Sequence, residues 1–354
     1  MKRYILGAQA IACSIYHAWN TLFPDKPIEG FLATDPSRNP AEVAGVSVLG
    51  LRPFADQQSA AEKEQTAILL GMPQNVQADA ERELHALGYK HVETFPSERE
   101  NQLLHDYYQR EGIFPALHDM PEGQATARVA VYAVRSAKDK TMQSAPVYPP
   151  FVHSLFLGEP KSGKAEFFDS TGENISDRNA SFCEMTGLYW IWKNRLRMDT
   201  DYVGLYHYRR FLDIHEDDFS RLERNAVDIV LPYPLLHDPD SFSHHRRYMT
   251  DEEWSVLDET LRELSPEMAA QMGRVFAEPY FYNYNMFLAR KDVLDAYAGW
   301  LFPILFETER KLHERNLNQT KRALAYMSES LFTLYFRAHA DRLRIAHVGR
   351  RMYV

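Results

Sequence analysis

Cysteine is nearly missing from this chain of 354 residues: Cys13 and Cys183 are its only two. Two thiols so far apart offer no disulfide framework and no thiolate metal site, and they suit a reducing, cytoplasmic setting. Long apolar runs are also missing. No window approaches the roughly 20 apolar residues needed to span a bilayer. The opening Met1-Lys-Arg-Tyr-Ile-Leu-Gly7 breaks too early, on Gly7, Gln9, Ser14 and His17, for a secretory signal. Nor is there a basic excess. Forty Lys and Arg against 49 Asp and Glu give a formal charge of −9, which excludes a surface made for nucleic acid but leaves room for a local basic pocket. Internal repeats and low-complexity segments are absent as well. What remains is the composition of an ordinary globular protein, 45% apolar and 25% charged, long enough for two domains. Aromatics at 13% supply either large core residues or platforms on which sugars and bases stack.

Residues 1–95 alternate short β-prone runs (4–7, 30–34, 46–49, 66–70) with helical patterns (10–19 and 78–87, the latter closed by Gly88). Such alternation predicts a parallel sheet in an N-terminal Rossmann-like domain. Its first turn, Gly7-Ala-Gln-Ala-Ile-Ala12, carries one glycine where a dinucleotide fingerprint needs three. A Rossmann-like fold without a cofactor is therefore expected. Residues 96–126 are polar and irregular, with Pro96, Gly112, Pro115, Pro121 and Gly123, and read as a linker holding one short helix.

A second domain, residues 127–354, opens with the β-prone run 127–134 and passes a loop marked by Pro146, Pro149 and Pro150. Strands are predicted over 201–211 and 227–231. Ser181-Phe-Cys-Glu184 and Thr250-Asp-Glu-Glu253 have the spacing of capping boxes, each ahead of a helix. Further helices are predicted over 292–316, kinked at Pro303, and over 319–339. Trp190 and Trp192, in the helix after Glu184, are read as core packing rather than sugar platforms.

The polar chemistry gathers at a few places. The 201–211 strand ends in His207-Tyr208-Arg209-Arg210, and paired arginines at a strand end suit phosphate, by charge-assisted hydrogen bonds. Alternation along a strand places His207 and Arg209 on one face and Tyr208 and Arg210 on the other. The loop Asp169-Ser-Thr-Gly-Glu-Asn174-Ile-Ser176 offers amides and hydroxyls to a nucleotide or sugar, or is simply a capping turn. His244-His245-Arg246-Arg247 is a second basic cluster, read as solvated surface or as a contact for acceptor or phosphate. Asn283 and Asn285 fall in an aromatic strand, where buried amides need partners. Glu329 stands in an apolar helical stretch, where burial would raise its pKa and suit it to acid–base work, or where it makes a packing hydrogen bond. Two Asp-x-Asp triplets, Asp199-Thr-Asp201 and Asp238-Pro-Asp240, follow no apolar strand and read as turns. No metal ligand is expected.

Five motifs in order carry a resemblance. Asp169 to Ser176, Glu184 through Trp190-Ile-Trp-Lys-Asn194, Asp201 to Arg210, Tyr284-Asn-Met-Phe287 with Trp300 to Phe306, and Ser328-Glu-Ser-Leu-Phe332 are similar to a bacterial family of capsule and lipopolysaccharide gene clusters. That family is catalogued as domain of unknown function 4422, and the likeness covers roughly residues 127–340. The resemblance implies a GT-A-like glycosyltransferase, metal-independent, using a UDP-sugar such as UDP-galactofuranose. On that likeness Arg209 or Arg210 would counter the leaving diphosphate, with Tyr208 beside them. Asn174, Ser176 and Glu184 would shape the donor side, and Asn283 and Asn285 would meet sugar hydroxyls. Glu329 would act as base, with His207 as the alternative. One departure is Val134-Arg135-Ser136, where members carry His-Lys. Separately, Gly30-Phe-Leu-Ala-Thr-Asp35 and Val43-Ala-Gly-Val-Ser-Val-Leu-Gly50 resemble the N-terminal domain of bacterial sugar O-acyltransferases, implying a fold and not an activity.

The leading expectation is transfer of a hexosyl unit to a surface glycan, with a lipid-linked acceptor and peripheral contact at the inner face of the membrane. The competing ones are a non-catalytic nucleotide-sugar-binding or scaffold protein, and an NAD-linked enzyme working through residues 1–95.

Overall fold

The computed structural model describes residues 1–142, 146–158, 165–196, 198–317 and 320–353. The alternating segments at the start of the chain build a six-stranded sheet from β1 (Lys2–Leu6), β2 (Gly30–Ala33), β3 (Glu42–Val43), β4 (Val46–Gly50), β5 (Thr66–Leu70) and β6 (His91–Glu93), in the order β3-β4-β2-β1-β5-β6. All neighbours run parallel except β3 and β4. Every residue of the central strands β2 and β5 is buried, as expected where helices cover both faces of a parallel sheet. Helices α1 (Ala10–Leu22) and α2 (Gln74–Ala86) follow β1 and β5. Gly7 and Gly71 let the β1–α1 and β5–α2 turns pass each other, since a Cβ on Gly7 would sit 2.3 Å from the Gly71 carbonyl oxygen.

The stretch read as a linker is mostly helix. Ser97–Glu111 forms α3, ended by Gly112 in the left-handed conformation that favours glycine at a helix stop. Its buried stripe of Leu103, Leu104, Tyr107 and Tyr108 is worth roughly 1.5–3 kcal/mol per side chain, and it packs on α1 and on the second domain. The Tyr108 hydroxyl donates to the Pro234 carbonyl (2.8 Å), and Asn101 exchanges two hydrogen bonds with the backbone of Arg350. One apolar core runs without a break from Ile5 and Cys13 through Tyr108 to Leu205 and Phe332.

The second sheet contains β7 (Val129–Ser136), β8 (Val152–Leu157), β9 (Phe167–Phe168), β10 (Tyr202–His207), β11 (Arg210–Leu212), β12 (Ile229–Pro232), and, beyond the small pair β13 (Leu235–Leu236) and β14 (Tyr280–Phe281), also β15 (Phe287–Arg290), β16 (Ile345–Val348) and β17 (Arg350–Met352). Its main order is β16-β12-β15-β10-β7-β8-β9. Strands β10, β7, β8 and β9 run parallel and β15 runs against β10. The carboxyl ends of β7, β8 and β10 therefore share one edge, and the segment leading into β15 returns to it. The fold is α/β, a Rossmann-like sheet followed by a GT-A-like domain.

Helices α4 (Glu184–Arg195), α5 (Asp251–Leu264), α6 (Lys291–Glu314) and α7 (Ala323–Ala338) cover this sheet. The Thr250–Glu253 capping box forms as expected. The one expected at Ser181 does not: Cys183, not Ser181, precedes α4, at φ 50° and without a side-chain cap. Helix α6 runs through Pro303. The expected start of α7 at Gln319 lies outside the described residues. Trp190 is buried and Trp192 stacks on Phe302 at 5.6 Å, so both serve packing.

Candidate active site

The strand predicted over 201–211 is two strands. β10 stops at His207, the chain turns at Tyr208 and Arg209, and Arg210 starts β11 opposite His207. The strict alternation expected for His207 to Arg210 is thereby overturned, and all four line one cavity of about 370 Å³. The ends of β7 and β8 and the start of α4 complete its walls. Cations dominate them: Arg135, Lys138, Lys140, Arg209, Arg210 and Arg322, against the carboxylates Asp139 and Glu184.

Few of these charges cancel. Asp139 accepts from the Ser136 amide and hydroxyl (3.0 and 2.9 Å) and lies 3.8 Å from Arg135. Arg322 Nε donates to Cys183 Sγ at 3.0 Å. Arg210 lies over the Tyr284 ring at 4.5 Å, and burial together with Arg209 and Arg350 pushes its pKa down. Arg209 has a buried Nε with no partner among the described residues. Unpaired guanidinium groups in a concave strand-end site are ready to receive an anion.

Behind this wall the segment Tyr284-Asn285 turns at two consecutive positive φ angles, 78° and 48°, a conformation that costs non-glycine residues of order 1–3 kcal/mol unless its surroundings hold it. His207 Nε2 donates to the Tyr284 carbonyl at 2.6 Å. A carbonyl only accepts, so the proton sits on Nε2 and Nδ1 keeps the lone pair. Asn285 Nδ2 donates to Glu184 Oε1 and Ser328 Oγ, both at 3.0 Å. Asn285 is fully buried in this bridge and lines none of the cavities described here, so it holds Glu184 rather than reaching a sugar hydroxyl. Nor are Asn283 to Asn285 in a strand, since β15 begins at Phe287.

Two titratable groups here are driven in opposite directions. Burial lowers the His207 pKa although Glu184 opposes it, which keeps the imidazole neutral. Burial, and then the charge of Glu184, raises Glu329 to about 8, with the Tyr284 amide, Arg210 and Arg322 opposing. Glu329 is not among the residues lining the cavity, yet Glu184, Arg210 and Arg322, which tune it, all are.

The other expected residues fall elsewhere. Asn174 Oδ1 accepts from the Ser176 amide and hydroxyl (3.2 and 2.9 Å) and its Nδ2 donates to the Gly172 carbonyl. That is a self-satisfied turn, and neither residue lines the cavity. His245 is buried, hydrogen-bonded to Phe242 and Asp251 and stacked on Trp254 at 4.5 Å, so its ring has no nitrogen left for an acceptor or phosphate. His244 and Asn283 line a different cleft, between the two sheets. Arg322, Cys183, Lys138 and Lys140 were not singled out from the sequence. Cys183 and Arg322 are 139 positions apart, and no local pattern joins them.

A GT-A-like fold raises the question of a divalent cation between two aspartates. Asp201 and Asp199 are bound to Arg128 before β10 begins, at the opposite end of that strand from His207, and Asp240 caps Ser243. Among the described residues no three His, Cys, Asp or Glu side chains are grouped to hold a metal. Arg135, Arg209 and Arg210 stand at these strand ends beside the carboxylates Asp139 and Glu184.

Comparison with known proteins agrees with this geometry. A family described as a domain of unknown function (DUF4422) matches residues 131–340, a span that contains the whole cationic wall and Glu329. The chain belongs to the DUF4422 family. The match does not reach the N-terminal sheet, so the likeness of residues 1–95 to sugar O-acyltransferases stays an expectation. The DUF4422 chain is also similar to the apo structure of the bifunctional glycosyltransferase WbbM, at 26% identity and a TM-score of 0.54, over 64% of this chain and 45% of that one. This protein thus spans less than half of WbbM. The core-mannan synthase A of Aspergillus fumigatus (12% identity, TM-score 0.29, 68% of this chain and 80% of that one) and the mannosyltransferase Ktr4p of S. cerevisiae (12%, 0.24, 61% and 71%) are too remote to carry an argument. No curated protein matches. No described helix is long and apolar enough to cross a membrane.

Proposed function

We propose that this DUF4422 protein is a glycosyltransferase that moves a hexosyl unit, galactose or galactofuranose, from a UDP-sugar to a surface-polysaccharide acceptor. The observation that carries this is the cationic strand-end cavity, whose Arg209, Arg210 and Arg322 face only two carboxylates. The name of WbbM and the family membership support the same class of activity. In the reaction the acceptor hydroxyl forms a bond to the anomeric carbon, the bond from that carbon to the UDP oxygen breaks, and the hydroxyl proton passes to a base. Arginine counters the diphosphate charge as it develops, the role a metal plays elsewhere. Glu329, at about 8, holds its own proton at neutral pH and accepts another only from its ionised fraction. Neutral His207 is the alternative, acting through Nδ1. The capsule or lipopolysaccharide setting, a lipid-linked acceptor and peripheral membrane contact belong to the same proposal.

The test is UDP release by the purified protein with a panel of UDP-sugars and glycan acceptors, with and without chelator. Turnover that survives chelation supports the proposal. Binding without turnover of any donor favours the scaffold reading instead.

A further inference from the structure

We propose that the cleft between the two sheets is the acceptor site, that its ligand is a saccharide bearing one anionic group, and that the N-terminal domain supplies half of it. This rests on reading the chain as a glycosyltransferase.

The cleft is about 350 Å³ in volume and opens at the carboxyl ends of β1, β2 and β5. In the first sheet the chain proceeds from β1 to β2 on one side and later to β5 on the other, so the space beyond β1 and β5 is the crevice where open α/β sheets bind ligands. The opposite wall belongs to the second domain. Thus neither domain forms this site alone, and the unbroken core between them fixes its two walls.

Three observations define the ligand. The first is charge. Among the described residues no carboxylate lines the cleft, whereas Arg247 does. Arg246 is paired with Asp251, but Arg247 is exposed and makes no ion pair among the described residues, only a contact over the Tyr248 ring. The amino end of the 13-residue α1 opens into the same space, with no acid in its first turn and no side-chain cap, and its free amides favour an anion. The second is unmet hydrogen bonding. His237 and Asn283 are half-buried and line the cleft; their Nε2 and Oδ1 atoms are within reach of each other but form no well-aligned hydrogen bond, and neither has another partner among the described residues. A sugar hydroxyl donates and accepts at once, so it satisfies both. The third is what the glycines exclude. Gly7 and Gly71 are consumed in packing against each other, and Gln9 and Ala12 stand where a dinucleotide turn has its second and third glycines. A pyrophosphate has no cradle there, while a single carboxylate or phosphate does.

Tyr284 joins this cleft to the cationic cavity. It lines the cleft, and its carbonyl is the partner of His207 in the cavity wall. Tyr284 thus stands between the two sites, with its carbonyl on His207 and its amide on Glu329.

The experiment titrates the full chain, with UDP saturating the donor cavity, using glucuronate (the carboxylate arm), glucose 1-phosphate (the phosphate arm) and neutral methyl glucoside. The variants are Arg247→Ala, on the surface, and Ala10→Glu, at a helix start where an acid is favourable. At least one anionic probe is expected to bind more tightly than methyl glucoside, and to weaken tenfold or more in both variants. UDP affinity and melting temperature should be unchanged. Equal affinity in wild type and Arg247→Ala overturns the proposal, as does equal affinity for anionic and neutral probes, or no binding of either anionic probe. If Ala10→Glu fails to fold, Arg247→Ala decides. Failure of the UDP titration itself would count against the transferase reading, and the probe titrations, repeated without UDP, would still report on the cleft.

Discussion

His207 Nε2 and the Tyr284 carbonyl oxygen are 2.6 Å apart, and this bond ties the end of β10 to the only consecutive pair of positive-φ, non-glycine residues among those described. It places one imidazole at two tasks, holding a strained turn and lining the cationic cavity. His207→Phe keeps the ring volume and leaves the carbonyl unsatisfied. The expected outcome is a loss of about 1–3 kcal/mol in unfolding free energy and loss of transfer, with UDP binding retained. Full activity in this variant would remove His207 from both tasks.

Glu329 yields a prediction about pH. Its carboxyl is raised from 4.5 to about 8 in the folded protein, so the folded state holds a proton that the unfolded state releases. The native protein is therefore penalised progressively as pH rises from about 4.5 to about 8, and not beyond. Glu329→Gln escapes the penalty. Its melting temperature should exceed that of wild type at pH 8 and match it near pH 4.5, at roughly 2–4 °C per kcal/mol relieved. Transfer in the variant should be abolished with donor binding intact, and the wild-type rate should climb toward pH 8. A rate independent of pH between 6 and 9 would exclude Glu329 as the base.

Arg209 and Arg210 each present a guanidinium with no acidic partner among the described residues. A charge-assisted hydrogen bond is worth about 1.5–3 kcal/mol. Arg209→Ala and Arg210→Ala should therefore each weaken UDP-sugar binding by roughly 10- to 100-fold, measurable by calorimetry, with a shallower salt dependence. Unchanged affinity in both would refute the diphosphate role.

Asn285 allows a comparison within one site. Asn285→Ala removes the donor to buried Glu184 and keeps a Cβ at φ 48° without the short polar side chain that makes this region tolerable to Asn. Asn285→Gly removes the same donor but is at ease at that angle. Glycine should be the milder change by about 1 kcal/mol, the reverse of the usual order in regular structure. Denaturant unfolding of the two variants checks this.

Gly71 tests the turn packing beneath the interdomain cleft. A Cβ there would meet Ala12 and Ile5 at 2.7 Å, so Gly71→Ala should destabilise by about 1–3 kcal/mol. A melting temperature equal to wild type would mean that the two turns can slide apart.

Much of this was legible in the sequence because it is local. The buried strands β2 and β5, the Thr250 capping box and the apolar run of β10 are all written in adjacent residues, although the run reads as one strand on to residue 211. Three features were not. Helix α3 hides a narrow apolar stripe, Leu103 to Tyr108, among charges that read as a linker. The box at Ser181 has the right spacing, but Cys183 leaves helical geometry at φ 50°. The 169–176 loop is polar enough to hold a ligand, yet short side chains satisfy their own turn first. The site itself was half visible. His207 to Arg210 and Glu329 stood out, whereas the Arg322–Cys183 contact and the role of Asn285 depend on partners more than 100 positions away.

The core shared by the two sheets bears on how such a chain can be inherited. Tyr233, Leu235 and Leu236 belong to the second domain, but they are covered by α1 and α3, through the ring of Tyr108 and the Ser14 hydroxyl that accepts from the Leu236 amide. Cut off near residue 126, the second domain would turn that patch to water. The point where family similarity begins, residue 131, is thus not a seam along which the molecule comes apart. A relative built from the second domain alone must carry polar residues, or a different covering helix, where this chain has tyrosine and leucine.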